Sequence, residues 1–143
     1  MHFSISIDIP APPERVWAVM CDIERWHEWT PSVKQIRQLT RGPLGVGTRA
    51  LIRQPRLPPA LWKVVAIDPG RSFTWTTWCP GLLVTAHHAV EPTNGGARAT
   101  LSLQFAEWLG GIVARVTAGQ NNRYLDFEAT GLKRRSEEQG AQE

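Results

Sequence analysis

The segment from Trp108 to Arg135 contains no proline and carries apolar residues at helical spacing: Leu109, Ile112, Val113, Val116, Tyr124 and Phe127. Residues three and four apart share one face of a helix, so these six form a single stripe. Ala114, Ala118, Leu125, Ala129 and Leu132 form a second stripe on the opposite side. Arg115, Asn122, Asp126 and Lys133 fall on the narrow strip that remains. A helix that is apolar on two sides is expected to be mostly buried. At a rise of about 1.5 Å per residue it is roughly 40 Å long, enough to cross a small domain. The rest of the chain must therefore wrap around it. Gly119 lies mid-run, where glycine costs about 1 kcal/mol relative to alanine. It marks a kink, a close approach to a ligand, or no more than a weak point or a strand contact.

The preceding residues alternate rather than cycle. Phe3, Ile5, Ile7 and Ile9 interleave with His2, Ser4, Ser6 and Asp8, which is a strand with one buried face. Pro10, Pro12 and Pro13 end it, and Pro13 suits the first turn of a helix. Val16, Trp17, Met20 and Ile23 give that helix its apolar side. Asp22 breaks and re-caps the chain into a second short helix carrying Ile23 and Trp26. Weak alternation spans Val33 to Leu39, and a clearer strand runs from Thr48 to Gln54 with Ala50, Ile52 and Gln54 on one side. Leu61 to Ile67 places Trp62, Val64 and Ala66 inward. Ser72 to Trp78 does the same for Phe73, Trp75 and Thr77. Leu82 to Glu91 aligns Leu82, Val84, Ala86, His88 and Val90, and the last strand aligns Ala99, Leu101, Leu103 and Phe105.

Short turns rich in glycine and proline join these strands, at 42–47, 68–71, 79–81 and 92–96. Strands in hairpin series make an antiparallel sheet, here apolar on one face and wet on the other. The expected fold is α+β: a seven-stranded antiparallel curved sheet wrapped around a long C-terminal helix, with two short helices between the first and second strands. A straight rod does not fill a concave surface, so a hollow is expected between them. The stiff loop Pro55-Arg56-Leu57-Pro58-Pro59 is either a rim over its mouth or a plain connector. Ser136 to Glu143 is polar and is expected to fray as a disordered tail.

With 143 residues, the chain fits one domain, spanning residues 1–135. Cys21 and Cys79 are far apart and form no CxxC pair, which argues for reduced thiols. No basic stretch precedes an apolar run at the start, and no apolar run reaches about 18 residues. The expectation is a soluble, cytoplasmic protein. A net charge of +3, clustered only at Lys133-Arg134-Arg135, does not make a nucleic-acid surface. The glycines of 42–47 precede no helix and no GK[ST], so they cradle no phosphate. Seven tryptophans against one tyrosine exceed what packing alone asks of a small domain, so some are expected to line a cavity.

Several local patterns carry a resemblance. They are Pro12-Pro13-Glu14-Arg15-Val16-Trp17 after the first strand, and Trp26-His27-Glu28-Trp29-Thr30-Pro31 after the helices. Pro69-Gly70-Arg71-Ser72-Phe73-Thr74-Trp75, His88 before Val90-Glu91-Pro92, and the ending Gly131-Leu132-Lys133 complete them. On these the chain resembles the START-like (SRPBCC) superfamily, which includes the birch pollen allergen and the polyketide cyclase/dehydrase-like proteins. The resemblance implies a helix-grip fold with a deep hydrophobic cavity. It also implies a ligand of lipid, sterol, hormone or polyketide type, with catalysis by a minority of members. It supplies no shared catalytic motif.

His88 is the candidate for acid/base chemistry, because its strand parity turns it inward. His87 points to the other face, so the two cannot share an ion, and no metal or cofactor is expected. There is no Gly-x-Ser-x-Gly elbow, and neither cysteine has an evident base. Asp8 and Glu91 lie on the wet face, which leaves no carboxylate pair. An apolar pocket with a few placed polar groups is the usual small-molecule site. The expected lining is Trp29, Ile52, Gln54, Trp62, Trp75, Thr77, His88, Leu103, Asn121, Asn122 and Leu125. The first reading is thus a protein that binds a small hydrophobic molecule. The alternative is a polyketide cyclase or dehydratase using His88, and a third is a partner-binding module using Trp78 or Trp108. The sequence leaves a homodimer open.

Overall fold

The computed structural model describes residues 1–55 and 57–142, and of residues 139–142 the backbone alone. In chain order the elements are β1 (His2–Ile9), α1 (Pro13–Cys21), a 3-10 helix (Ile23–Glu28), β2 (Gln35–Gln38), β3 (Arg49–Arg53), β4 (Ala60–Asp68), β5 (Ser72–Cys79), β6 (Leu82–Thr93), β7 (Gly96–Ala106), α2 (Gly110–Val116) and α3 (Ala118–Gln142). The strands form one antiparallel sheet in the order β1-β7-β6-β5-β4-β3-β2. Consecutive hairpins account for every pairing except β1 with β7, where Ile5 faces Leu101 and Phe3 faces Leu103. The seven-stranded sheet gripping a C-terminal helix is the fold the alternation called for.

Inward parity holds on β5, β6 and β7, where Phe73, Trp75, Val84, Ala86, His88, Val90, Ala99, Leu101 and Phe105 are all buried. It fails in one place. Ala66 was expected to face inward, yet it is exposed. The register against β5 shifts between Val64 and Ala66, so one extra residue on β4 reverses the alternation. Ile67 then takes the inward place opposite Phe73.

Asp22 separates α1 from the 3-10 helix as expected, but its side chain makes no capping hydrogen bond and pairs instead with Arg25 at 3.4 Å. Trp26 ties this corner together by donating from its indole nitrogen to the Met20 carbonyl at 3.0 Å.

The expected single rod is two segments meeting at Thr117, not at Gly119. Thr117 has φ −101° and ψ 9°, and its hydroxyl donates back to the Val113 carbonyl at 2.7 Å. Such a back-bond competes with the helical ladder and bends it. The ladder itself continues through Asn121 N–H to the Thr117 carbonyl, 2.9 Å. Among the described residues nothing lies within 4 Å of where a Gly119 Cβ would stand. The first apolar stripe is also only partly covered: Ile112 is 63% and Val116 81% exposed, while Ala114 on the opposite side of α2 is buried. At the other end, the polar stretch that follows residue 135 lies on α3. Ser136 is buried, and α3 continues to Gln142 with Lys133 paired to Glu137 at 3.1 Å and Arg134 to Glu138 at 3.7 Å. Pairs spaced by four residues support a helix locally even where no apolar residue anchors it. Glu143 lies outside the described residues.

α3 packs against α1, β1 and β7 and, among the described residues, makes no close packing with β2–β5. Ala97 and Ala99 on β7 and Ala129 on α3 are fully buried, and their small size lets the elements approach. The approach is closest at Gly131, where a Cβ would collide with the carbonyl oxygen of Trp29. Only glycine fits there.

Candidate functional site

Between the uncovered part of the sheet and the helices lies a cavity of about 450 Å³. That is within the range of small-molecule sites, roughly 300–1,000 Å³. Its floor is the inward row of β5 and β6, its far wall comes from β3 and β4, and its roof is α2 and α3. Leu57, Pro58 and Pro59 border it, so the stiff loop forms part of the rim. Tyr124 fastens that rim to the helix by donating its hydroxyl to the Pro55 carbonyl at 2.6 Å.

Nine of the residues expected from sequence line this space: Ile52, Gln54, Trp62, Trp75, Thr77, His88, Leu103, Asn121 and Leu125. Two do not. Trp29 is buried behind the wall, against Trp26 at 5.4 Å between ring centroids, with its carbonyl accepting from Arg134 at 3.3 Å. Asn122 is exposed, because one residue along a helix turns the side chain by about 100° away from Asn121. The aromatic wall is continuous: Trp26 lies 5.5 Å and Trp62 5.8 Å from Trp75.

His88 is enclosed by rings. Phe73 stacks on it at 4.5 Å and 11°, Trp26 lies at 5.3 Å, and Trp75 meets it edge-on at 5.7 Å. Its Nδ1 is buried with no hydrogen-bond partner among the described residues. Burial, aided by the neighbouring His87, pushes its pKa down to about 3, against an opposing pull from the Phe73 backbone. The imidazole is therefore neutral at pH 7 and a weak base. His87 faces the other way and bonds Thr74 Oγ1 through its Nδ1 at 2.6 Å. Burial pushes the Cys21 thiol up to about 12, while Cys79 is exposed beside the cavity rim.

The residue that the sequence reading missed is Glu128. It lines the cavity from α3, and Ser32 donates its hydroxyl to Glu128 Oε1 at 3.2 Å. Thr30 and Ser32 are joined at 2.8 Å, and both are buried. Since Ser32 spends its proton on the carboxyl, it accepts from Thr30, and the chain of hydroxyls runs toward Glu128. Burial raises the carboxyl to about 7, with the Ser32 bond acting against it. The contact exists because Gly131, one turn further on, lets α3 settle on the Trp29–Thr30 backbone. A signal was present: Glu128 lies seven residues, two helical turns, beyond Asn121 and so shares its face.

A concave antiparallel sheet closed by a C-terminal helix over an apolar cavity defines a helix-grip protein. The chain belongs to the family described as polyketide cyclase/dehydrase and lipid transport, which it matches over residues 1–137. No curated protein matches it. Similar solved structures include a Thermus thermophilus protein at 19% identity and TM-score 0.77, covering 95% of this chain and 97% of that one. An aromatase/cyclase from Streptomyces is 13% identical, with TM-score 0.77 and coverage of 96% and 93%. A START superfamily protein from Mycobacterium smegmatis is 16% identical, with TM-score 0.75 and coverage of 96% and 97%. At such identities the likeness shows the fold. No helix among the described residues is long and apolar enough to cross a membrane.

Proposed function

We propose that this chain binds a mostly apolar small molecule, of lipid, polyketide or aromatic type, in the cavity between sheet and C-terminal helix. One observation carries the reading: a cavity of about 450 Å³ walled largely by tryptophan and aliphatic side chains, with Gln54, Thr77, Asn121 and Glu128 among its polar points. Burial of a ligand's apolar surface at roughly 25 cal/mol per Å² supplies affinity, and the polar points fix its orientation. The test is native mass spectrometry of the purified chain with a panel of neutral aromatic and acyl probes, alongside thermal unfolding. A one-to-one complex and a rise in Tm are expected. A panel with no adduct and no rise contradicts the reading.

A second reading is an enzyme of the cyclase or dehydratase type. His88, the sequence candidate for its acid/base, is neutral and poorly basic in its ring of aromatics. What favours the reading is Glu128, whose carboxyl titrates near neutrality, where general acid/base groups work best. Turnover of a reactive polyketide that survives His88→Gln and is lost in Glu128→Gln would support it.

A further inference from the structure

Among the described residues the cavity is electrically one-sided: no lysine or arginine lines it, and Glu128 is the sole acidic side chain there. The other titratable groups that share the space are Cys79 at the end of β5, His88 on β6 and Tyr124 on α3. Thr30 and Ser32, from the loop packed against Glu128, are uncharged hydroxyls. One carboxyl oxygen is taken by Ser32, while Oε2 has no hydrogen bond among the described residues. The hydroxyl chain ends on the carboxyl as acceptor, so the free oxygen is left to meet a donor. Trp26, Trp62 and Trp75 line the same cavity as Glu128, with adjacent ring centroids 5.5 and 5.8 Å apart. Tryptophan faces attract a cation held within about 6 Å, and more so when it is desolvated.

We infer that the preferred ligand is an apolar amine, its protonated nitrogen held between Glu128 Oε2 and the tryptophan wall, and that carboxylate ligands are rejected. The inference rests on the cavity-binding reading and narrows it to one charge class. A cation next to a carboxyl favours the ionised form, so binding an ammonium draws the proton off Glu128. Below neutrality that proton must be displaced, and amine affinity falls. Above neutrality the carboxylate is already present, and affinity rises until the amine itself deprotonates. His88 stays neutral across this range and adds no competing charge.

Three probes of one shape test it: 2-naphthylethylamine, 2-naphthylethanol and 2-naphthylacetate, titrated calorimetrically into the full chain at pH 5.5 and pH 8. At pH 8 the amine is expected to bind at least tenfold tighter than the alcohol, with the acid weakest, and the advantage is expected to shrink several-fold at pH 5.5. Glu128→Gln should bring the amine down to the alcohol. Because that variant also alters packing at Ser32, a carbon-detected titration of the Glu128 carboxyl in the unaltered chain is the second readout. The amine should move its titration to lower pH and the alcohol should not. An alcohol that binds as tightly as the amine at pH 8 overturns the inference and leaves the cavity reading standing. Failure of all three probes to bind overturns both.

Discussion

The space between sheet and helix is solid at one end and hollow at the other. Where α3 crosses β1 and β7, Ala97, Ala99 and Ala129 let backbones approach, Gly131 lets α3 meet the Trp29 carbonyl, and Leu132, Val16 and Met20 are fully buried. Over β3–β6 and the far end of β7 the same sheet presents Trp62, Trp75 and Leu103, and α3 makes no close packing with β3–β6 among the described residues. Small residues thus sit where the layers touch and large ones where they part. The pattern teaches that the cavity is held open from outside itself: the packed end fixes the height of the helix, and the tryptophans line a gap they do not create.

The largest effects separate the two ends. Leu132→Ala removes a fully buried side chain at the packed end and is expected to cost about 3–5 kcal/mol in urea unfolding. Leu103→Ala, whose side chain faces open space, is expected to cost about 1 kcal/mol, since little new void is made. Equal losses at Leu103 and Leu132 would break the distinction. Gly131→Ala pushes a methyl group into the Trp29 carbonyl and should cost about 3 kcal/mol. It should also lift α3 and weaken probe binding at the hollow end, which a purely local clash would not do.

The pH dependence sharpens the comparison. Glu128 has a folded-state pKa raised from 4.5 to about 7, so the folded state holds its proton more tightly than the unfolded chain. Its contribution to stability is full below about pH 4.5 and is lost as pH rises to 7, on the order of 2 kcal/mol after allowing for solvent in the cavity. His88 acts in the opposite sense. Its folded pKa is lowered from 6.5 to about 3, so stability is lost as pH falls from 6.5 toward 3. Stability measured by urea from pH 4 to 8 should therefore be flatter above pH 5 in Glu128→Gln, and flatter below pH 6 in His88→Gln. The smallest effect is expected outside both ends. Trp108→Ser, at a side chain 79% exposed, should change stability by less than about 0.5 kcal/mol.

Most of the inward row was legible because a strand displays its faces every second residue. Trp62, Trp75, Thr77, His88 and Leu103 follow from parity alone. Parity misled at Ala66, since a bulge leaves no clear mark in alternation. The helical residues were harder. Asn121 and Leu125 were placed at the cavity, yet Glu128 on the same face passed unnoticed, because a glutamate in a helix ordinarily marks its solvent side. Trp29 was placed in the cavity on residue type, and only the close contact with Gly131 shows why it is walled off.

By itself the sequence determined the strands, their order and, apart from the bulge in β4, the face each turns inward, since those follow from a period of two residues along the chain. The tertiary structure decided the distance between layers. That distance depends on residues far apart in sequence, such as Gly131 against Trp29 or Ser32 beside Glu128, whose meeting leaves no periodic trace. The same meeting encloses a carboxyl in an apolar hollow and moves its proton affinity to neutrality, because desolvation depends on what surrounds a group and not on what precedes it.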